Sequence, residues 1–470
     1  MKNLKKKGKY LISLPYLYPV CPISIDHARM FVVADINARW ERKAGKEVYF
    51  PIAAHFSGIT AERTCELLNG KYEKNSELYN QRKKILNIFS KIYKVPDNII
   101  EMLKTPQDIL YYFTYQTIND LKNINVSCDF ASFYTTNCEE FEKFVKVMFE
   151  FYESNNALIM NENNELALNY SDENWKRKTL KSFDNIEFIQ SFHKNNVLGS
   201  FNNIRKDFGL LRDYGIGIKY NEKYVIDPMF DSDLFTLYDL YMKVKCDSND
   251  YNVENIFREL FNSISNKPNK NSNEIINKIT EWLPCDLFVC EEHLKTWIVK
   301  KTYSETLLMR PELRTKKYFI TGMGKIKNER MSSSRGTAIL LKDLIEKYGV
   351  HNARLIILMT GGHPSKLYNY DLNLPNEIVK MTNYFMEYVN YLYSKYLQDI
   401  NINPTNELEK EKNEIMSYIE EGYYKQAIIL MMKIIPKQNK NVDSAKAKEI
   451  LGIYKEFLDI IVPNLLNVKL

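Results

Sequence analysis

Residues 15–61 read PYLYPVCPISIDHARMFVVADINARWERKAGKEVYFPIAAHFSGITA. A short apolar strand, residues 9–14, leads into this stretch. Residues 26–43 place apolar side chains at helical spacing, among them Ala28, Phe31, Ile36 and Trp40, and Gly45 suits the end of a helix. Residues 48–52 form the next strand. Strand, helix and strand within about forty residues make a βαβ unit, so a parallel sheet with a right-handed crossover is expected. His27 and His55 each follow the carboxyl end of one of these strands, where open parallel sheets bind their ligands.

A chain of 470 residues, 45% hydrophobic and with 33 tyrosines, has material for two to four domains and is not a disordered protein. Lys+Arg 65 against Asp+Glu 59 gives +6, which permits a nucleic-acid partner without demanding one. The seven cysteines (Cys21, Cys65, Cys128, Cys138, Cys246, Cys285, Cys290) form no C-x-x-C pair and are odd in number. They therefore suggest neither a zinc ribbon nor a disulfide framework, and a reducing cytoplasmic setting follows. The start, MKNLKKKGKYLISLPYLYPV, is basic and then apolar, but Pro15 and the tyrosines interrupt the run, so it does not read as a signal peptide. No run approaches eighteen apolar residues, so no membrane span is expected.

Residues 62–125 read as helices, clearest over 109–123. Residues 129–134 look extended. Residues 139–155 form a helix whose stripe of Phe141, Phe144, Val145, Met148, Phe149 and Tyr152 is core packing. Residues 160–205 are polar and poorly periodic. A turn-rich segment covers 212–217, and a helix begins near 231 with Asp231 or Ser232 as its cap. Residues 262–275 read as an exposed linker. Residues 286–289 and 318–322 are strands, and from 377 onward the chain is helical, broken at 401–405 and at Pro436.

The second informative stretch is 325–337, KIKNERMSSSRGT. Four basic residues, three serines and a glycine ahead of a helix can close over a polyphosphate: Arg330 and Arg335 supply charge, and hydroxyls and backbone amides supply hydrogen bonds.

Together, PYLYPVCPISIDHAR and RMSSSRG resemble the paired "HIGH" and "KMSKS" signatures of class I aminoacyl-tRNA synthetases, most nearly the archaeal and eukaryotic type of leucyl-tRNA synthetase. The resemblance extends through 36–51, 53–61, 108–136, 212–235, 282–289 and 330–358. It implies an α/β fold: a Rossmann-like class I synthetase catalytic domain with a parallel sheet, plus a C-terminal α-helical bundle. The implied division is 1–160 for the first half of the catalytic domain with a helical insertion, and 161–205 for a short connection in place of an editing domain. The second half with its KMSKS-like loop takes 206–372, and a truncated bundle takes 373–470. The implied activity joins an amino acid to ATP, with Mg2+, as an aminoacyl adenylate, then transfers the aminoacyl group to tRNA or another acceptor in protein biosynthesis. It implies no membrane or DNA partner and no resident metal.

The resemblance assigns roles position by position. Ser24, Asp26 and His27 fall on HIGH, with His27 a catalytic phosphate contact. Arg330, Met331, Ser332, Ser334, Arg335 and Gly336 fall on KMSKS, Ser333 standing for its second lysine and Arg335 supplying the charge. Cys290, Glu291 and His293 fall on a stretch that holds the nucleotide. Tyr16, Tyr18, His55, Asp231 and Ser232 fall on the amino-acid side.

Two departures bear on function. Asp26 replaces the glycine against which adenine lies; as an anionic cap it would satisfy the helix amides and weaken the positive field at the helix start. Glu291 and Glu292 replace a glycine and a lysine close to where a triphosphate would sit. They support a second reading, a catalytically diverged relative with impaired ATP binding that holds tRNA, aminoacyl-tRNA or an adenylate-like ligand as transferase or regulator. His193 reads as a surface histidine, Cys285 and Cys290 as buried structural thiols, and His363 as a turn residue.

Overall fold

The computed structural model describes residues 8–204, 207–245, 252–266, 273–333 and 335–466. Its central sheet contains β1 (Lys9–Ser13), β2 (Glu47–Tyr49), β3 (Glu187–Phe188), β4 (Cys285–Cys290) and β5 (Lys317–Thr321). The strands are all parallel, in the order β2-β1-β4-β5-β3. The expected βαβ unit is present: β1 leads into helix α1 (Ile25–Lys43), and β2 returns beside β1 with Lys9 opposite Glu47 and Leu11 opposite Tyr49. Every residue of β4 is buried, as befits a central parallel strand covered on both faces.

Helix α2 (Pro106–Asn123) belongs to a helical insertion that follows β2. Helix α3 (Glu139–Ser154) buries Phe141, Phe144, Val145, Met148, Phe149 and Tyr152, so the aromatic stripe is core, as expected. Helix α1 packs between the sheet and two later helices, α4 (Val350–Met359) and α6 (Ser444–Ile461); between these, α5 (Leu374–Tyr396) runs along α6 in the C-terminal helical part. A buried ion pair ties these parts together. Arg354 Nη2 reaches Asp35 Oδ2 at 2.5 Å, and the same guanidinium donates to the Ile461 and Ile124 carbonyls. The Ser127 amide at 2.7 Å, the Ser127 hydroxyl at 2.6 Å and Arg39 Nε at 2.9 Å also donate to this carboxylate.

Several local expectations are corrected. Residues 160–205 are not irregular: they contain helices Glu173–Asp184 and Ser191–Asn202, with β3 between them on the edge of the sheet. The first of these helices buries only Thr179, Ser182 and Phe183, so its inward face is too polar to show an apolar period. His193 is 1% exposed, not a surface residue, and burial, with His363 adding to it, pushes its imidazole down to about 4. Residues 130–132 form a short 3-10 turn, and only Tyr134–Thr135 is extended, beside Ala53–Ala54. The expected linker at 262–275 is helical at both ends, because the stripe of Ile256, Phe257, Leu260, Phe261 and Ile264 carries Val253–Ser265 into it; residues 267–272 lie outside the described residues. Pro436 does not break the chain's helical course. A wide turn at Leu430–Ile434 hands over to Ile435–Gln438, where proline sits in the first turn and its missing N–H is tolerated. Among the described residues no helix is long and apolar enough to cross a membrane.

Candidate functional site: a two-chambered cleft at the strand carboxyl ends

The segments leaving β1, β2, β4 and β5 converge on one edge of the sheet. Residues 14–24, with prolines at 15, 19 and 22, form no regular element and cross that edge. They are bound to the loop after β2 by backbone bonds, Leu17 N to Ala53 O at 3.0 Å and His55 N to Leu17 O at 2.7 Å. The loop turns sharply at Gly58 (φ 104°), where a Cβ would meet the Tyr18 hydroxyl at 2.9 Å. β5 leads into a hairpin of β6 (Gly324–Ile326) and β7 (Glu329–Arg330), whose first strand also pairs with β8 (Tyr368–Asn369). The basic loop is thus anchored: Arg330 stands on a hairpin strand, and the Ser333 carbonyl accepts the Tyr93 hydroxyl of the helical insertion at 2.8 Å.

A cavity of about 540 Å³ opens here, lined by Tyr16, Tyr18, Ser24, Asp26 and His27, by Glu292 and His293 after β4, and by Arg330, Met331, Ser332 and Arg335. A second cavity of about 330 Å³ is lined by His55, Ser57, Arg212, Ser232 and Trp297 and shares Pro15, Tyr16, Tyr18 and His293 with the first. Twelve predicted site residues from five separate stretches therefore line one or both cavities, ten of them in the larger, with His55 and Ser232 in the second alone.

In the larger cavity His27 Nε2–H donates to Glu292 Oε1 at 3.1 Å, and its Nδ1 lies 3.1 Å from Ser24 Oγ. The other oxygen of Glu292 faces Arg330 Nη2 at 3.6 Å. One carboxylate thus joins the histidine of the HIGH-like segment to the arginine of the KMSKS-like one. Hydrogen bonding from His27 pulls the Glu292 carboxyl down to about 2; burial opposes this, and the charges of His27, His293 and Arg330 assist it. Burial disfavours the His27 imidazolium, but the bond and charge of Glu292, with Asp26, outweigh it and raise the group above 6.5.

Asp26 is not a helix cap. Ser24 occupies the cap position of α1, and Asp26 lies one turn position inside the helix, 2% exposed. Its Oδ1 turns away from the helix amides and accepts the Gly324 amide at 2.9 Å and the Tyr368 hydroxyl at 2.6 Å. Tyr368 in turn presents its ring to the buried Arg29 guanidinium at 4.7 Å. The physical reason is competition: the Ile25 amide at the helix start is already taken by the Ile339 carbonyl at 2.9 Å, and two buried donors across the cleft need an acceptor that the carboxylate supplies. Burial raises the Asp26 carboxyl, against the opposing pull of Tyr368, His27 and Gly324.

At the smaller cavity His55 Nε2–H donates to the buried Asp231 Oδ1 at 2.8 Å. Asp231 is not a cap either. The short helix Pro228–Asp231 is capped by Asp227, whose Oδ1 accepts the Met229 amide at 2.8 Å, which leaves the Asp231 carboxylate at the helix end free to orient the histidine. Between the chambers a polar chain runs inward: Tyr16 donates to Tyr134 at 2.6 Å, and Tyr134 to Asp239 at 2.7 Å. Burial raises the Asp239 carboxyl to about 7, against the pull of Tyr134 and Lys301.

Some predicted residues stand elsewhere. Cys290 is fully buried, with its sulfur 3.8 Å from Met30 Sδ and outside the cavity lining. Glu291 belongs to the short turn after β4 but not to the lining. Gly336 (φ 69°) packs on Ile92 of the helical insertion, where a Cβ would meet the Ile92 side chain. Ser334 lies outside the described residues. Tyr134, Asp239, Gly324 and Tyr368 were not foreseen as site residues, since each joins the cleft only through tertiary contacts with distant segments. Among the described residues no group of three or more His, Cys, Asp or Glu is gathered to hold a metal.

No protein-family model matches the chain. Leucine–tRNA ligase 1 of Saccharolobus solfataricus is 30% identical over 140 residues, 30% of this chain and 14% of that ligase. The leucine–tRNA ligase of Archaeoglobus fulgidus is 30% identical over 141 residues, again 30% and 14%. The match therefore spans about one-seventh of the length of these curated relatives. A crystal structure of Mycobacterium tuberculosis methionyl-tRNA synthetase bound by methionyl-adenylate shares the fold with a TM-score of 0.65, at 12% identity, over 97% of this chain and 92% of that one. The chain is thus related in sequence to leucine–tRNA ligases and has the Rossmann-like α/β fold of class I synthetases.

Proposed function

We propose that this chain is an aminoacyl-tRNA-synthetase-like ligase without an editing step, which activates an apolar amino acid with ATP and passes the aminoacyl group to tRNA or another nucleophile. The observation that carries this reading is the pair of cavities meeting at Tyr16, Tyr18 and His293 beneath the two motif segments. An aminoacyl adenylate has matching parts: an amino-acid end for the chamber of His55 and Ser232, and a nucleotide end for the chamber of His27, Arg330 and Arg335.

The chemistry asks little covalent work of the protein. The amino acid's carboxylate oxygen bonds to the α-phosphorus and pyrophosphate leaves; the acceptor oxygen then bonds to the carbonyl carbon and AMP leaves. The protein's part is placement and charge stabilisation. His27, Arg330 and Arg335, with the hydroxyl of Ser332, would face the phosphates, and Mg2+ would enter with the ATP. Asp231 fixes the His55 ring by accepting a hydrogen bond from its Nε2–H, which orients the amino-acid chamber.

A second reading is favoured by the two carboxylates in the nucleotide chamber, Asp26 and Glu292. On it the chain holds an adenylate-like ligand or aminoacyl-tRNA but uses ATP poorly. Amino-acid-dependent exchange of labelled pyrophosphate into ATP, run over all twenty amino acids, separates the two. Exchange with one or a few apolar amino acids supports activation; none at high protein concentration sinks it for the proteinogenic set.

A further inference from the structure

We infer that Glu292 makes the nucleotide chamber selective by phosphate count, favouring ligands with one phosphate over those with three. The inference rests on reading this chamber as a nucleotide site, which both readings above share.

The two cations best placed to neutralise a phosphate chain are already engaged. His27 Nε2–H meets one oxygen of Glu292 at 3.1 Å, and Arg330 faces the other at 3.6 Å. A triphosphate can reach these donors only by displacing the carboxylate, which then stays in the same chamber as an uncompensated like charge. Protonation gives no relief, because the carboxyl is held at about 2. The second acid of the chamber, Asp26, is fixed by Gly324 and Tyr368 and cannot swing out to take over either cation.

A single phosphate meets a different balance. Arg335 lines the chamber and has no carboxylate partner among the described residues. One phosphate can pair with Arg335 and leave the His27–Glu292–Arg330 bridge intact. The bridge then acts as an internal anion where a longer phosphate chain would lie, and it closes that end of the chamber to further negative charge. The ligand class this selects is a nucleoside monophosphate or its acyl ester, an adenylate, and ATP is disfavoured relative to it.

The test is isothermal titration of the full chain, wild type and Glu292→Gln, with AMP and with MgATP at fixed ionic strength. Glu292 is exposed enough for glutamine to be accommodated, and Glu291→Gln, outside the chamber, is the charge-matched control. The expected result is AMP binding at least tenfold tighter than MgATP in the wild type. In Glu292→Gln, MgATP should tighten at least tenfold while AMP stays within threefold, and Glu291→Gln should behave as wild type. Wild-type affinity for MgATP equal to or above that for AMP overturns the inference, as does an unchanged ratio in Glu292→Gln. Weaker MgATP binding in Glu292→Gln also overturns it, since the carboxylate would then be holding the magnesium. Binding of neither nucleotide by either folded protein removes the nucleotide reading itself, and the inference with it.

Discussion

Asp26 Oδ1 accepts the hydroxyl of Tyr368 at 2.6 Å across 342 positions of chain, and the Gly324 amide at 2.9 Å across 298. The motif resemblance aligns this carboxylate with the glycine of the HIGH signature, and its work here is structural: it fastens the hairpin that carries Arg330 to the start of α1. Asp26→Gly would strand a buried hydroxyl and a buried amide, at a cost of about 2–4 kcal/mol. Asp26→Asn keeps an acceptor oxygen and should cost less than half as much. Urea denaturation of the three proteins checks this; equal stability of Asp26→Gly and wild type would show that the link contributes nothing.

The bridge between His27 and Glu292 has a pH signature. Glu292 is held below its ordinary 4.5, so its contribution is present above pH 4.5 and is lost as pH falls toward about 2. His27 is raised above 6.5, so its contribution is present below pH 6.5 and is lost as pH rises through the folded value. The pair is therefore complete between about pH 4.5 and 6.5, and its disappearance on the alkaline side follows the histidine. With both side chains about two-fifths exposed (40% and 39%), it is worth at most about 1 kcal/mol. The sharper readout is the His27 imidazole followed by NMR: its titration should lie above 6.5 in wild type and move down in Glu292→Gln, where burial acts with less opposing charge. An unmoved titration would mean that the contact is not formed in solution.

The two chambers should respond separately to mutation. His55→Ala removes the ring that Asp231 orients in the smaller chamber and leaves the larger one untouched. Binding of an aminoacyl-sulfamoyl adenosine, which fills both chambers, should weaken by about tenfold to a hundredfold, a loss of about 1.4–2.8 kcal/mol. AMP binding should stay within threefold. Equal losses for both ligands would place His55 outside any amino-acid chamber.

The βαβ start was legible because Phe31, Ile36 and Trp40 repeat at helical spacing between two apolar strands, and because His27 and His55 fall at strand ends by topology alone. The motif segments were legible because their residues are contiguous: RMSSSRG lies beside PISIDHAR as soon as the strands are ordered. The partners of Asp26 were not legible. An acid in the first turn of a helix has a local capping role available, and nothing local shows that Gly324 and Tyr368 will arrive as better donors. Glu292 was legible as a charge in the wrong place, but its bridging of His27 and Arg330 needs the hairpin geometry that places Arg330. The helix Glu173–Asp184 stayed hidden because its buried face is Thr179 and Ser182 as much as Phe183.

The central claim is that the two chambers hold one aminoacyl adenylate across the shared wall of Tyr16, Tyr18 and His293. Titration with a panel of aminoacyl-sulfamoyl adenosines, one for each amino acid, tests it without requiring ATP to bind. At least one member with an apolar side chain should bind at least a hundredfold tighter than AMP, a gain of about 2.8 kcal/mol or more from the second chamber. A panel in which every member binds no better than AMP would contradict the account, because the smaller cavity would then add nothing to the recognition of the ligand.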